Sequence, residues 1–269
     1  MSGPDRTPPA GYLLDNRLDG AGTRLAALAT LFDPVTVGHL SATGIGPGWR
    51  CWEVGAGGPT VSAWMARTVG PTGSVLATDL DLSRFGDPPA GVTIREHDVT
   101  CDPLPEGSFD LVHARLLLVH LPDRRQVAAA LASVLRPGGW LVLEDADPGL
   151  QPLACPDAVG PEAALANRIR DGFRTLLAER GADLAFGRTL PRLLRDVGLV
   201  DVTADGWFPL AGPVGAVLER VTVEQTRAAL VDRGLATDEE VDRLLVALDA
   251  GALDVTTAPL VSARGRRPA

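Results

Sequence analysis

Apolar and polar positions follow two rhythms along this chain. The apolar run Cys51-Trp52-Glu53-Val54 ends at a glycine cluster, Gly55-Ala56-Gly57-Gly58-Pro59, and a second run from Ser74 to Thr78 ends at Asp79. Short apolar runs closed by glycine or acid predict buried strands, so this stretch reads as strand, turn, helix, strand and acidic tip, half of a nucleotide-binding α/β sheet. Trp140 to Leu143 predicts another buried parallel strand. An alanine- and leucine-rich helix over 127–135 leads into it and stops near Pro137-Gly138-Gly139, which makes a βαβ crossover.

Elsewhere the spacing is helical. Tyr12, Leu13, Leu14, Leu25, Leu28, Leu31 and Phe32 recur at helical intervals, and Asp33-Pro34 then predicts a break, so two helices are expected before the sheet. Residues 145–161 carry four prolines and read as irregular; helical periodicity resumes from Glu162 to Arg180. Val214 to Leu248 reads as two helices divided at Thr237-Asp238-Glu239-Glu240, where Thr237 or Asp238 caps the second. The expected organisation is an N-terminal helical cap over 1–45 and an α/β domain over 46–269 with insertions at about 145–180 and 214–250. Ligands of open α/β sheets bind beyond the carboxyl ends of the strands, where these insertions branch off, so they are expected to form a substrate lid.

The glycine turn narrows the ligand. Gly55 and Gly57 can adopt backbone angles closed to other residues and let a ligand lie against the main chain, and Pro59 suits the first turn of a helix. A dinucleotide fingerprint would need glycine at position 60, which is Thr60. Glu53 at the end of the strand is a poor neighbour for a pyrophosphate and a good one for a cation.

Later motifs occur in a telling order. Glu96-His97-Asp98-Val99 precedes Asp102-Pro103-Leu104-Pro105-Glu106-Gly107-Ser108-Phe109-Asp110-Leu111-Val112; His120-Leu121-Pro122-Asp123 and Leu135-Arg136-Pro137-Gly138-Gly139-Trp140 follow. Together with the Glu53-Val54-Gly55-Ala56-Gly57 motif and Asp79, the series resembles the class I S-adenosylmethionine-dependent methyltransferases. The resemblance covers roughly residues 46–147, and the segments from Phe186-Gly187-Arg188 onward and from Val261 to Arg266 look like the last core strands. It implies a doubly wound, Rossmann-like, seven-stranded, mostly parallel sheet with helical lid insertions. One position departs from the family pattern: Pro59 stands where a third glycine is usual.

The resemblance also implies site residues. Gly55, Ala56 and Gly57 would take the methionine end of S-adenosylmethionine, with Glu53 beside them; Asp79, followed by Leu80, would take the ribose hydroxyls, and Asp98 with Val99 the adenine. His113, Ala114 and Arg115, ending the fourth strand, would face the transferred methyl group or the amino acid end of the cofactor, and Arg115 could pair with its carboxylate. His113 is the one histidine suited to serve as a general base, with a structural histidine as the other reading. Tyr12 could fold over the cofactor or simply pack its helix.

Composition limits the rest. The net charge is −9, and basic residues cluster only at the tail, so a nucleic-acid substrate is not expected. There is no lysine, which excludes lysine-based covalent chemistry. Cys51, Cys101 and Cys155 show no zinc or disulfide pattern, and no metal is expected; Glu144, Asp145 and Asp147 after the fifth strand read as solvated carboxylates. No signal segment or long apolar run is evident, so a cytoplasmic protein that does not enter the membrane is expected, with a homodimer as the assembly to consider. The acceptor expected is a small molecule, such as a secondary metabolite. The sequence Ala114-Arg115-Leu116-Leu117 lacks the tetrad used to methylate bases or glutamine. Two alternatives stay open: a methyltransferase-fold protein that binds or rearranges without methylating, and an NAD-dependent oxidoreductase.

Overall fold

A computed structural model describes residues 13–14, 19–83 and 85–269. The described residues divide into two compact units, one within 33–146, 186–206 and 260–269, the other within 13–32, 147–185 and 207–259.

The first unit is built on seven strands, β1 (Arg50–Val54), β2 (Ser74–Asp79), β3 (Val92–Glu96), β4 (Phe109–Arg115), β5 (Leu135–Ala146), β6 (Val200–Trp207) and β7 (Leu260–Arg266). They form one sheet in the order β3-β2-β1-β4-β5-β7-β6. β1 to β5 pair in parallel and β7 runs antiparallel to β5. The doubly wound, mostly parallel sheet expected from the sequence is present, and the order reverses between β1 and β4, where open α/β sheets bind their ligands.

Buried on both faces, the central strands sort their side chains with a period of two. Cys51, Val75, Ala77, Leu111 and Val142 join Val61, Met65 and Val69 of helix α2 (Thr60–Val69) and Leu40 of helix α1 (Ala21–Ser41) in one apolar cluster. Trp52, Val54, Val112, Ala114, Leu141 and Leu143 join helix α3 (Arg124–Ser133) and helix α5 (Leu190–Asp196) in another. Gly139 lies inside β5 where its register on β4 shifts, and a Cβ there would stand 2.9 Å from the Phe109 carbonyl and 3.0 Å from that of Arg136.

Two expectations need correction. The helix before the sheet is not broken at Asp33-Pro34: α1 runs through Pro34 to Ser41, held on that stretch by bonds from Arg115 to Asp33 and from Thr36 and His39 to Glu144. Tertiary contacts here outweigh the local cost of a helical proline. Phe186-Gly187-Arg188 starts no strand; a helical turn at Gly187–Thr189 runs into α5, and the strand begins at Val200.

The second unit is helical. Helices α4 (Gly160–Glu179), α6 (Pro213–Asp232) and α7 (Asp238–Asp249) bury Leu165, Ile169, Leu176, Val223, Leu230, Val241 and Leu244 together. Thr237 is the cap of α7: its hydroxyl accepts the Glu240 N–H at 3.2 Å while the Glu240 carboxylate accepts the Thr237 N–H at 3.0 Å. At the centre, Arg170 donates to Glu219 at 2.5 and 3.2 Å and to the Thr256 carbonyl at 3.0 Å. Both partners are buried, so removing one strands the charge of the other.

The substitution Glu219→Ala is therefore expected to destabilise the helical unit by about 3–5 kcal/mol, the cost of an unpaired buried charge. Denaturant unfolding checks it, and a change within experimental error would contradict this role for the pair.

Candidate functional site

At the carboxyl ends of β1 and β2 the sequence-predicted turn has the expected geometry. Gly55 and Gly57 both have φ of +64°, the left-handed conformation that glycine adopts at little cost. A Cβ on Gly55 would also come within 3.0 Å of Leu117. The Gly57 N–H donates to Asp79 Oδ2 at 2.8 Å, the Asp81 N–H donates to Asp79 Oδ1 at 3.1 Å, and the Ala56 N–H donates to the Thr78 carbonyl at 3.1 Å. One carboxylate thus ties the tip of β2 to the turn after β1. Burial raises the Asp79 pKa, opposed by these backbone donors. Pro59 leaves the turn undisturbed, since it occupies the N-cap position of α2. No side chain caps that end, and Pro59 has no N–H, so the first-turn N–H groups of α2 are available to an acceptor.

The structure places the other predicted residues as follows. Leu80 is exposed beside Asp79. Asp98 and Val99 are half-buried after β3, and Asp98 Oδ1 accepts the Thr100 N–H at 2.9 Å and its hydroxyl at 2.5 Å. Burial pushes the Asp98 pKa up, and the Thr100 bonds outweigh it, for a net lowering. Ala114 is buried. Arg115, assigned above to the cofactor carboxylate, is committed elsewhere, donating to Asp33 at 2.8 Å and Thr36 at 2.9 Å. Tyr12 lies outside the described residues.

His113 is fully buried, with Nε2 3.4 Å from Glu144 Oε2 and Nδ1 3.9 Å from Glu53 Oε1. Strand register explains the neighbourhood. Glu53 pairs with His113, and Glu144 pairs with Ser262, so these side chains form a polar row across one face of the sheet. Glu144 is its hub. Oε1 accepts from His39 Nδ1 at 2.9 Å and Ser262 Oγ at 2.6 Å; Oε2 accepts from Thr36 and faces His113. Burial would raise its pKa, but bonds from His113, His39 and Ser262 hold it far below the usual carboxylate range. His39 is raised chiefly by Glu144, and its Nε2 bonds Asp205 at 2.9 Å.

Glu53 is the opposite case. It is buried, its Oε2 has no partner, and burial pushes its pKa up to about 8, against a lowering by Arg115. On the other face of β5, Asp145 is likewise buried; Oδ2 accepts the Val119 N–H at 3.1 Å, Oδ1 has no partner, and burial raises its pKa to about 8. Glu144 and Asp145 are thus interior groups, not the solvated carboxylates expected. Asp147 is buried too, and its Oδ1 accepts the Leu150 N–H at 3.1 Å.

The sequence reading missed Asp33, Thr36, His39, Ser262 and Leu117. The first three recur every third residue along one stretch of α1, a signal hidden by ending that helix at Pro34. Leu116, a non-glycine residue at φ +53°, ends β4 in a strained conformation, its N–H donating to the Glu144 carbonyl at 2.8 Å.

Residues 52–143 match the Methyltransferase domain family. Methyltransferase str2 of Strobilurus tenacellus is 34% identical over 113 residues, 40% of this chain and 40% of that protein. Nocamycin O-methyltransferase of Saccharothrix syringae is 32% identical over 168 residues, 56% of this chain and 60% of that enzyme. Each match spans less than two thirds of the relative. Phosphoethanolamine N-methyltransferase 2 of Haemonchus contortus, solved with phosphomonomethylethanolamine and S-adenosylhomocysteine, has the same fold over 98% of this chain and 61% of that one, with a TM-score of 0.58 and 16% identity. Residues 52–143 are thus similar to a methyltransferase domain, and the chain shares the fold of an S-adenosylmethionine-dependent methyltransferase. Among the described residues, no helix is long and apolar enough to cross a membrane.

Asp145 gives a stability prediction. Its folded pKa lies above its unfolded value, so the native state binds the extra proton between about pH 4 and pH 8, and stability contributed by the neutral acid is lost as pH rises through that window. Asp145→Asn, which cannot ionise, is expected to flatten the fall in stability between pH 5 and 8. Denaturant unfolding across about pH 5–8 measures it; an unchanged slope would contradict the assignment.

Proposed function

We propose that this protein transfers a methyl group from S-adenosylmethionine to a small-molecule acceptor, of the kind found in secondary metabolism. The observation that carries the reading is the convergence, at the switch point of the sheet, of a left-handed glycine turn, a carboxylate fastened to it and a buried acid with an open oxygen. Gly55, Ala56 and Gly57 leave room for the methionine end, and the uncapped first turn of α2 suits its carboxylate. Glu53 suits its ammonium group. Asp79, each of whose oxygens can accept a further bond beside its backbone donor, suits the neutral diol of the ribose, with Leu80 beside it; Asp98 and Val99 suit the amino edge and face of the adenine. The likeness to nocamycin O-methyltransferase supports a small-molecule acceptor.

When bound, the cofactor supplies an electrophilic methyl group on a sulfonium. This chain's residues then have only to orient and shield it, and positioning is the larger share of such catalysis. We assign His113 to holding the floor of the site, between Glu53 and Glu144, in place of the general base named from sequence, because its ring has no surface for an acceptor to reach. Arg115 acts with it, clamping α1 through Asp33.

Titration calorimetry with S-adenosylhomocysteine tests the cofactor site: Asp79→Ala is expected to weaken binding about tenfold to a hundredfold, the worth of charge-assisted hydrogen bonds. Equal affinity would remove Asp79 from the site. For the reaction, label transferred from methyl-labelled S-adenosylmethionine to members of a metabolite panel is expected. Cofactor binding without transfer to any acceptor in cell extract would favour the non-methylating alternative.

A further inference from the structure

The sheet face under α1 buries two glutamates, with one histidine between them, in opposite circumstances. Glu144 faces four donors, two at each oxygen, which fills the acceptor capacity of a carboxylate and fixes it as the anion. Glu53 has no such set. Its Oε2 has no hydrogen-bond partner, and its Oε1 is 3.9 Å from His113 Nδ1, another buried atom without one. The groups around Glu53 come from every element packed on it: the titratable or charged His113 and Arg115 on β4, Asp33 on α1 and Asp79 on β2, and on α2 the neutral Ser62 hydroxyl, whose hydrogen bond lowers the Glu53 pKa by less than burial raises it. The arginine acting on Glu53, Arg115, bonds Asp33 at 2.8 Å, and Asp79 adds a further negative charge. An ionised Glu53 would be a second buried anion on this face without a counter-ion of its own, a state that burial disfavours strongly.

We propose that Glu53 is a protonated carboxylic acid in the ligand-free protein, and that a ligand cation arriving beside it releases that proton to solvent, so that cofactor binding is coupled to proton release. The inference rests on the cofactor reading above. The O–H bond of the Glu53 carboxyl breaks, the proton leaves to water, and the carboxylate is neutralised by the ammonium group of the ligand. Binding therefore strengthens with rising pH and levels off above the pKa of about 8 that burial gives Glu53. Below it the affinity rises by roughly tenfold per pH unit where one proton is released. Glu144 takes no part, because its donors keep it ionised in both states.

The ligand-free arm of the test needs no variant. Glutamate side chains labelled with ¹³C at the carboxyl, read by NMR, exclude Asp145 from the signal; one buried glutamate titrating near pH 8 is expected, and its absence overturns the proposal. Glu53→Gln assigns that resonance by removing it. S-adenosylhomocysteine, which keeps the ammonium group, is then titrated into the wild type at pH 6.5 in buffers of different ionisation heats. Release of close to one proton, with the resonance moving to its ionised position, supports the coupling; binding with no proton exchange overturns it. Absence of binding sinks the cofactor reading, and the coupling with it, while the ligand-free titration still reports separately on Glu53.

Discussion

The carboxylate of Glu144 is the interaction on which the site end of this fold depends. It faces donors from α1, β4 and β7 while itself lying on β5. A buried anion of this kind is tolerable only when its acceptor capacity is filled, and removing any one donor would leave one of its lone pairs buried without a partner. The consequence is positional. The second half of α1 is fixed over the carboxyl ends of the parallel strands, and Arg115 adds a second fastening through Asp33.

That fastening leaves Glu53 as the odd member of the row. Where Glu144 is saturated, Glu53 has an open oxygen beside the glycine turn, and the difference between the two is made wholly by their neighbours. Two chemically identical side chains on one sheet face thus have opposite surroundings, one saturated with donors and one not. Asp145 repeats the pattern on the opposite face, a buried acid whose proton stabilises the fold, whereas at Glu53 the proton is available for exchange with a ligand.

Much of this was legible in the chain. The glycine turn, Asp79 at the end of β2, the crossover into β5 and the Thr237 cap all depend on local chemistry: a backbone angle that glycine favours, a strand end, a helix start. Local rules failed where distant contacts outweighed them. Pro34 predicts a helix break, yet α1 continues because its side chains at 33, 36 and 39 are bonded to residues about 80 to 170 positions away. Arg115 looked like a ligand for a carboxylate, and it is one, but its partner is Asp33 of the chain itself.

By itself, then, the sequence determined the resemblance to a methyltransferase domain, the mostly parallel α/β sheet and the glycine turn beside Asp79, because those follow from strand rhythm and turn chemistry over a few residues at a time. Only the tertiary structure decided which acids are charged. Register brings Glu53 beside His113 and Glu144 beside Ser262, α1 closes over them, and the count of donors around each carboxylate, which no local pattern encodes, sets whether it holds a proton.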